Sequence, residues 1–221
     1  MNFLLWDVDG TLVRNGSDAG NLYHDAVQLA AGHELGERLG NMHGKTDGQI
    51  LTETLVHHGV PTELHAVASE HLDELSRQRH LRGEHRVLCP GVVPALAATA
   101  AAGWSNALLT GNGLARSRYK LLGAGLGVDD FDWTHSFFGN VSPIRSELTK
   151  RAARELDGRV IIIGDTPNDD WAADAAGLEF IAVATGAFDR DALEATGATL
   201  VLDDLATGLD ALLTHLSRPT P

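Results

Sequence analysis

At 221 residues the chain is long enough to bury one good core and to carry a smaller lobe beside it. Its 17 basic against 30 acidic residues give a net charge of −13, which repels nucleic acid and anionic membranes at long range and argues against either as a partner. A single cysteine, Cys89, excludes an internal disulfide and fits a reducing, cytoplasmic setting, where it reads as a small packed residue.

The first apolar run, Phe3 to Trp6, is too short for a signal peptide or a membrane span, has no basic region ahead of it, and reads as a strand. From Asn15 to Arg86 there is no strand pattern. Helices are predicted around Ala19 to Ala31, Gly48 to His58 and Glu63 to Leu81, with a break at Gly59-Val60-Pro61-Thr62. Most of the eleven histidines lie in or just after this stretch and read as solvated helix faces, because no pair shows ligand spacing with a third partner.

Cys89-Pro90-Gly91 marks the return to the core, and strands and helices then alternate. Strands are predicted at Trp104 to Leu109, Val160 to Ile163, Phe180 to Ala184 and Thr199 to Leu202. The helices are Val92 to Ala102, Leu114 to Leu122, Glu147 to Leu156, Asp169 to Ala176 and Arg190 to Ala195. Disorder is expected only at the Ser217 to Pro221 tail. Such alternation implies an α/β protein with a parallel sheet covered on both faces. The predicted domains are a core of residues 1–14 and 87–221 and an inserted α-helical cap of residues 15–86.

Open parallel sheets bind ligands beyond the carboxyl ends of their strands, so the residues after each apolar run belong together. Asp7-Val8-Asp9-Gly10-Thr11 places two carboxylates directly after the first strand. Thr110-Gly111-Asn112 offers a hydroxyl and backbone N–H groups for phosphoryl oxygens as a helix begins, although it is also good turn chemistry. Ser142-Pro143-Ile144-Arg145 reads as an N-cap, a proline at the first helical position and a cation at the third; a cation there is unfavourable beside the positive helix end unless an anion is close. Asp165 follows a triple-isoleucine strand, with Asp169 entering the next helix. Asp7, Asp9, Asp165 and Asp169 would thus meet on one sheet edge, where they cannot all ionise cheaply without a cation. Oxygen-only ligands point to Mg²⁺.

The order Asp-x-Asp-Gly-Thr, Thr-Gly-Asn, a basic residue, then Gly-Asp-x-x-x-Asp resembles the haloacid dehalogenase-like hydrolase superfamily, and the cap between the first two motifs resembles its phosphoglycolate-phosphatase-like branch. The resemblance spans nearly the whole chain and implies a Rossmann-like core. One departure is that the third-motif cation, commonly Lys, is assigned to Arg145, with Lys150 as the fallback. By resemblance, Asp7 is the nucleophile, Asp9 the acid and base, and Mg²⁺ is held by Asp7, Asp165 and the backbone carbonyl of Asp9. Asp169 stands behind them or orients Arg145, and Thr110, Gly111 and Asn112 cradle the phosphoryl group.

The implied partner is a small phosphorylated metabolite, met by a monomer or homodimer. Substrate choice would lie in the cap, with Gly44-Lys45-Thr46-Asp47 the leading contact. Thr46 also has a structural reading, since Thr46-x-x-Gln49 is a capping-box pattern, and Lys45 reads more readily as a plain surface lysine than as a contact for a substrate anion. The alternatives are a sugar phosphomutase, a phosphonoacetaldehyde hydrolase using Lys45, and a non-catalytic binding module. Asp9 argues against the phosphonate reading, Asp9 with Asp165 and Asp169 against a dehalogenase, and the complete set of acids against a silent module.

Overall fold

The computed structural model describes residues 1–14, 19–40, 44–140 and 144–218. Its first strand, β1 (Asn2–Trp6), is followed by three helices, α1 (Ala19–Ala31), α2 (Asp47–His57) and α3 (His65–Leu81). The core then runs α4 (Val92–Ala101), β2 (Trp104–Thr110), α5 (Leu114–Gly123), β3 (Phe137–Phe138), α6 (Arg145–Glu155), β4 (Val160–Gly164), α7 (Pro167–Asp174), β5 (Glu179–Val183), α8 (Arg190–Glu194), β6 (Leu200–Leu202) and α9 (Leu205–Leu216).

The six strands form one sheet in the order β3-β2-β1-β4-β5-β6, and every pairing is parallel. Strands buried on both faces read as continuous apolar runs, which is why Leu4, Leu5, Trp6 and the triple isoleucine of β4 were legible. Their side chains alternate between two cores. Leu4, Trp6, Ile161 and Ile163 pack against Val92, Ala95 and Leu96 of α4 and Leu205 and Leu212 of α9. Phe3, Leu5, Ile162 and Phe180 pack on the other face against Leu148 and Ala152 of α6 and Leu193 of α8.

Two elements escape the sequence reading. β3 is only two residues long and exists through its register with Leu109 and Thr110, so no periodicity announces it. α9 follows Asp204, whose carboxylate accepts from the Thr207 N–H at 2.7 Å, a cap signal just beyond the last predicted strand. Two helix starts also move. α6 begins at Arg145 with extended Ile144 as its N-cap, so Arg145 occupies the first helical position rather than the third. The Ser142 and Pro143 of that prediction lie outside the described residues, as do residues 219–221 of the tail. α7 begins at Pro167 rather than Asp169, because Thr166 and Asp169 cap each other reciprocally.

α1, α2 and α3 share a core of their own, built from Leu22, Tyr23, Val27, Ile50, Leu51, Leu55 and Leu72. This insert docks on the main sheet through the start of α2. The N–H groups of Asp47 and Gly48 donate to the carbonyls of Gly111 (2.6 Å) and Gly139 (3.1 Å). The buried Asp47 carboxylate accepts from the Tyr23 hydroxyl (2.7 Å), Arg116 (2.6 Å) and the Gly113 N–H (2.7 Å). Gly111 must be glycine for this approach, since a Cβ there would stand 2.5 Å from the Lys45 carbonyl oxygen. Asp47→Ala leaves the Arg116 guanidinium buried without its charge partner, and we expect it to lower stability by about 3–5 kcal/mol in urea titration. A loss under about 1 kcal/mol would show the docking contact to be marginal.

Candidate active site

The strand order reverses direction at β1 and β4, and the crevice beyond their carboxyl ends is where open α/β sheets place a ligand. Asp7 leaves β1 there, with its N–H donating to the Ile163 carbonyl at 2.9 Å, and Asp165 leaves β4 beside it. Asp169 is brought back to the same point by the first turn of α7. Its Oδ2 accepts from the Thr166 N–H at 3.0 Å and the Thr166 hydroxyl at 2.8 Å. All three acids are buried, and an oxygen from each lies within 4.8 Å of the others.

One cation faces them. Arg145 at the start of α6 stands 3.1 Å from Asp7 Oδ1, pairs with Asp169 and donates to the Leu109 carbonyl at 3.4 Å. Lys150, the fallback, lies on the opposite, solvated side of α6, 3.1 Å from Glu147. A cation at the head of a helix is explained here by the carboxylates it meets.

Three carboxylates against one guanidinium are under-compensated. Burial first, then the neighbouring Asp169 and Asp9, outweigh the attraction of Arg145 and lift the Asp7 carboxyl from 3.8 to about 6. Burial, Asp169 and Asp7 likewise push Asp165 well above the ordinary range, against Arg145 and a 3.2 Å hydrogen bond from the Thr11 hydroxyl. These residues fit a hard divalent cation, because a second positive charge among oxygen-only donors would relieve that repulsion. The backbone closes tightly around them. Gly10 has φ +87°, and a Cβ on it would lie 2.1 Å from Asp165 Oδ2, so only glycine fits between the first motif and the acid of β4.

Asp9 turns away from this cluster. Its Oδ2 accepts from Asn112 Nδ2 at 2.8 Å and from Lys120 Nζ at 2.5 Å, and Lys120 also reaches Asn112 Oδ1 at 2.6 Å. Although burial alone raises it, Lys120, with help from Asn112 and Arg116, holds the Asp9 carboxyl down at about 2. The two acids of the first motif therefore stand in opposite electrostatic settings. Lys120 was missed from the sequence. Its one signal was position: Arg116 and Lys120 are four residues apart on the helix after Thr-Gly-Asn, and so share a face.

Thr110 is fully buried, and its hydroxyl accepts from the Asn112 N–H (3.3 Å) and side chain (2.8 Å). Asn112 is thus committed to Asp9, Lys120 and Thr110, while the Gly113 N–H at the head of α5 is taken by Asp47. In the insert, Lys45 pairs with Glu53 at 2.7 Å. Thr46 caps α2 by accepting from the Gln49 N–H at 3.1 Å. Gln49 turns to Glu53 rather than completing the reciprocal box.

The architecture recurs in solved structures. A haloacid dehalogenase-like hydrolase from Entamoeba histolytica superposes with TM-score 0.70 at 19% identity, covering 98% of this chain and 99% of its own. CbbY from Rhodobacter sphaeroides, solved in complex with phosphate, gives 0.67 at 22% identity, with 93% and 95% covered. A hydrolase from Pseudomonas syringae gives 0.67 at 20% identity, with 96% and 98% covered. No curated protein matches the sequence. A family model described as haloacid dehalogenase-like hydrolase matches residues 1–177, which hold the first strand, the helical insert and all four strand-end motifs, and the chain belongs to that family.

Proposed function

We propose that the protein is a Mg²⁺-dependent phosphatase that hydrolyses a small-molecule phosphate monoester through an aspartyl-phosphate on Asp7. The observation that carries this reading is the division of labour at the end of β1: Asp7 lies beside Arg145 and the metal-competent acids, and Asp9 is held apart by Lys120 and Asn112. Hydrolysis of a phosphate monoester needs accelerations of up to about 10²¹-fold, so positioning and charge neutralisation carry most of the work.

In this reading a carboxylate oxygen of Asp7 attacks phosphorus, and the bond from phosphorus to the ester oxygen breaks. Asp9 gives its proton to that departing oxygen. It is ionised in the arrangement seen here, and the negative charge of an arriving ester raises its proton affinity. Asp9 then takes a proton from the water that attacks the aspartyl-phosphate, which frees Asp7 and inorganic phosphate. Arg145 and the Thr110 hydroxyl, with the Gly111 N–H, offset and orient the phosphoryl charge. Mg²⁺ would be held by Asp7, Asp165 and the Asp9 carbonyl, with Asp169 orienting Arg145, and would supply charge neutralisation at the phosphoryl oxygens. The helical insert of residues 15–86 serves as the cap that shields this chemistry from water. The single buried cysteine and the absence, among the described residues, of any helix long and apolar enough to cross a membrane support a cytoplasmic setting.

Asp7→Asn keeps the shape and removes both the nucleophile and a buried negative charge, so turnover should vanish while the thermal unfolding midpoint of the metal-free protein at neutral pH does not fall below wild type. Retention of more than about a tenth of wild-type kcat would overturn the assignment. A chelator should abolish activity and Mg²⁺ should restore it; full turnover in the chelator would count decisively against the metal.

A third outcome is independent of turnover. In the metal-free protein the stability contributed by protonated Asp7 is present below 3.8 and lost as the pH rises through about 6, since the folded state binds the extra proton there. Added Mg²⁺ offsets the same repulsion, so its stabilising shift in Tm should grow between about pH 4 and about pH 7. A shift that is constant over that range would show that the acids are not where the ion binds.

A further inference from the structure

Asp9 lies on a loop whose backbone is fixed. The N–H groups of Leu12 and Val13 donate to the Val8 carbonyl at 3.0 and 2.9 Å, and the Gly10 N–H donates to the Val13 carbonyl at 2.7 Å. The Thr185 hydroxyl, from beyond β5, donates to the Gly10 carbonyl at 2.5 Å. What these bonds leave undetermined is the rotation of the Asp9 side chain, which is 30% exposed and has more than one staggered rotamer open to it.

That rotation is set from the helix across the site. Lys120 Nζ at 2.5 Å and Asn112 Nδ2 at 2.8 Å both donate to one oxygen of the carboxylate, Oδ2. Among the described residues no donor reaches Oδ1. Lys120 closes a triangle by donating also to Asn112 Oδ1 at 2.6 Å, and Asn112 Nδ2 donates in addition to the Thr110 hydroxyl oxygen at 2.8 Å. Turning the Asn112 amide over would set its N–H groups against Lys120 and its oxygen against Asp9, so the triangle has one arrangement.

Stability gives no reason for this lysine. Its ammonium is withdrawn from water, and the buried Arg116 one turn earlier on α5 repels it. A buried ion pair of this kind gains little over the cost of desolvating it, and an apolar side chain would occupy the same place on the helix. What Lys120 supplies and an apolar residue would not is a fixed direction for Asp9, with one oxygen held and the other left free.

We propose that Lys120 is a positioning residue, gripping Asp9 by Oδ2 so that Oδ1 alone is presented to the reacting groups. The proposal rests on the phosphatase reading. In that reading the proton on Oδ1 passes to the ester oxygen as the phosphorus–oxygen bond breaks and the bond from Asp7 to phosphorus forms. Oδ1 then recovers a proton from the water whose oxygen displaces Asp7 from phosphorus. Loss of the grip leaves Asp7 and Arg145 paired as they are, so it weakens the proton transfer alone, and it does so most where the departing oxygen most needs a proton.

Lys120→Met keeps the length of the side chain and removes the ammonium. The full chain with Mg²⁺ is assayed on phenyl phosphate, whose oxygen departs with difficulty unless protonated, and on 4-nitrophenyl phosphate, whose phenolate departs readily without a proton. The quantity read is kcat/KM, which covers the step that breaks the ester bond. Lys120→Met should lose about 10²-fold on phenyl phosphate, the scale of one general acid, and at least about tenfold less on 4-nitrophenyl phosphate. Lys120→Arg, which keeps a cationic donor on the same face, should recover part of the loss on phenyl phosphate; a purely structural lysine would affect both esters alike. If circular dichroism shows Lys120→Met unfolded, Lys120→Gln is read in the same way. A difference of less than about tenfold between the two losses, or no loss on either ester, overturns the inference and leaves the phosphatase reading standing. Turnover of neither ester by the wild-type protein overturns that reading and this inference with it.

Discussion

The repulsion among Asp7, Asp165 and Asp169 is the constraint on which the rest of the site depends. Three carboxylates are drawn out of water at the point where β1 and β4 end, and the described residues supply one guanidinium, Arg145, to face them. The fold accepts that cost because each acid is fixed by something else: Asp7 by its backbone bond into β4, Asp165 by Thr11, and Asp169 by the reciprocal cap with Thr166. The carboxylates suit a divalent cation, and in the reading proposed above that cation would join Arg145 in inverting the field for a phosphate in an otherwise acidic protein.

The second acid of the first motif shows how small a displacement separates two chemistries. Two residues after Asp7, Asp9 leaves the under-compensated cluster and enters a pocket of donors formed by Asn112 and Lys120. One carboxyl is lifted to about 6, first by burial and then by Asp169, and the other is held at about 2 by Lys120 and Asn112; these neighbours follow β4 and β2, the two strands that flank β1. Pairs of acids pushed apart in this way are the usual physical basis for assigning them different tasks.

The insert is joined to this arrangement by the same helix that carries Lys120. Asp47 meets Arg116 one helical turn before Lys120 meets Asp9, so α5 is gripped on one face by the insert and by the loop after β1. Movement of α2 away from the core would unpair a buried guanidinium, and that cost couples the position of the insert to the surroundings of Asp9. Tyr23, stacked at 4.8 Å under the Arg116 guanidinium and hydrogen-bonded to Asp47, extends the linkage into the core of the insert.

Much of this was legible along the chain because it depends on local periodicity. The strands buried on both faces, the alternation that makes the sheet parallel, the helical stretch between Asn15 and Arg86, and the acids at strand ends follow from apolar runs and what interrupts them. Asp7, Asp165 and Asp169 could be placed together because strand ends in a parallel sheet share an edge. What the tertiary structure alone decided concerns contacts between residues far apart in sequence. Arg145 rather than Lys150 faces Asp7 because of where α6 starts, Asn112 is committed to Asp9, and Lys45 is paired with Glu53. Lys120, more than a hundred residues from Asp9, carries no motif of its own, and β3 exists only because its neighbour in the sheet provides a register. Periodicity reports which face of an element is buried; it does not report what that face meets, and the chemistry of Asp9 is determined by what it meets.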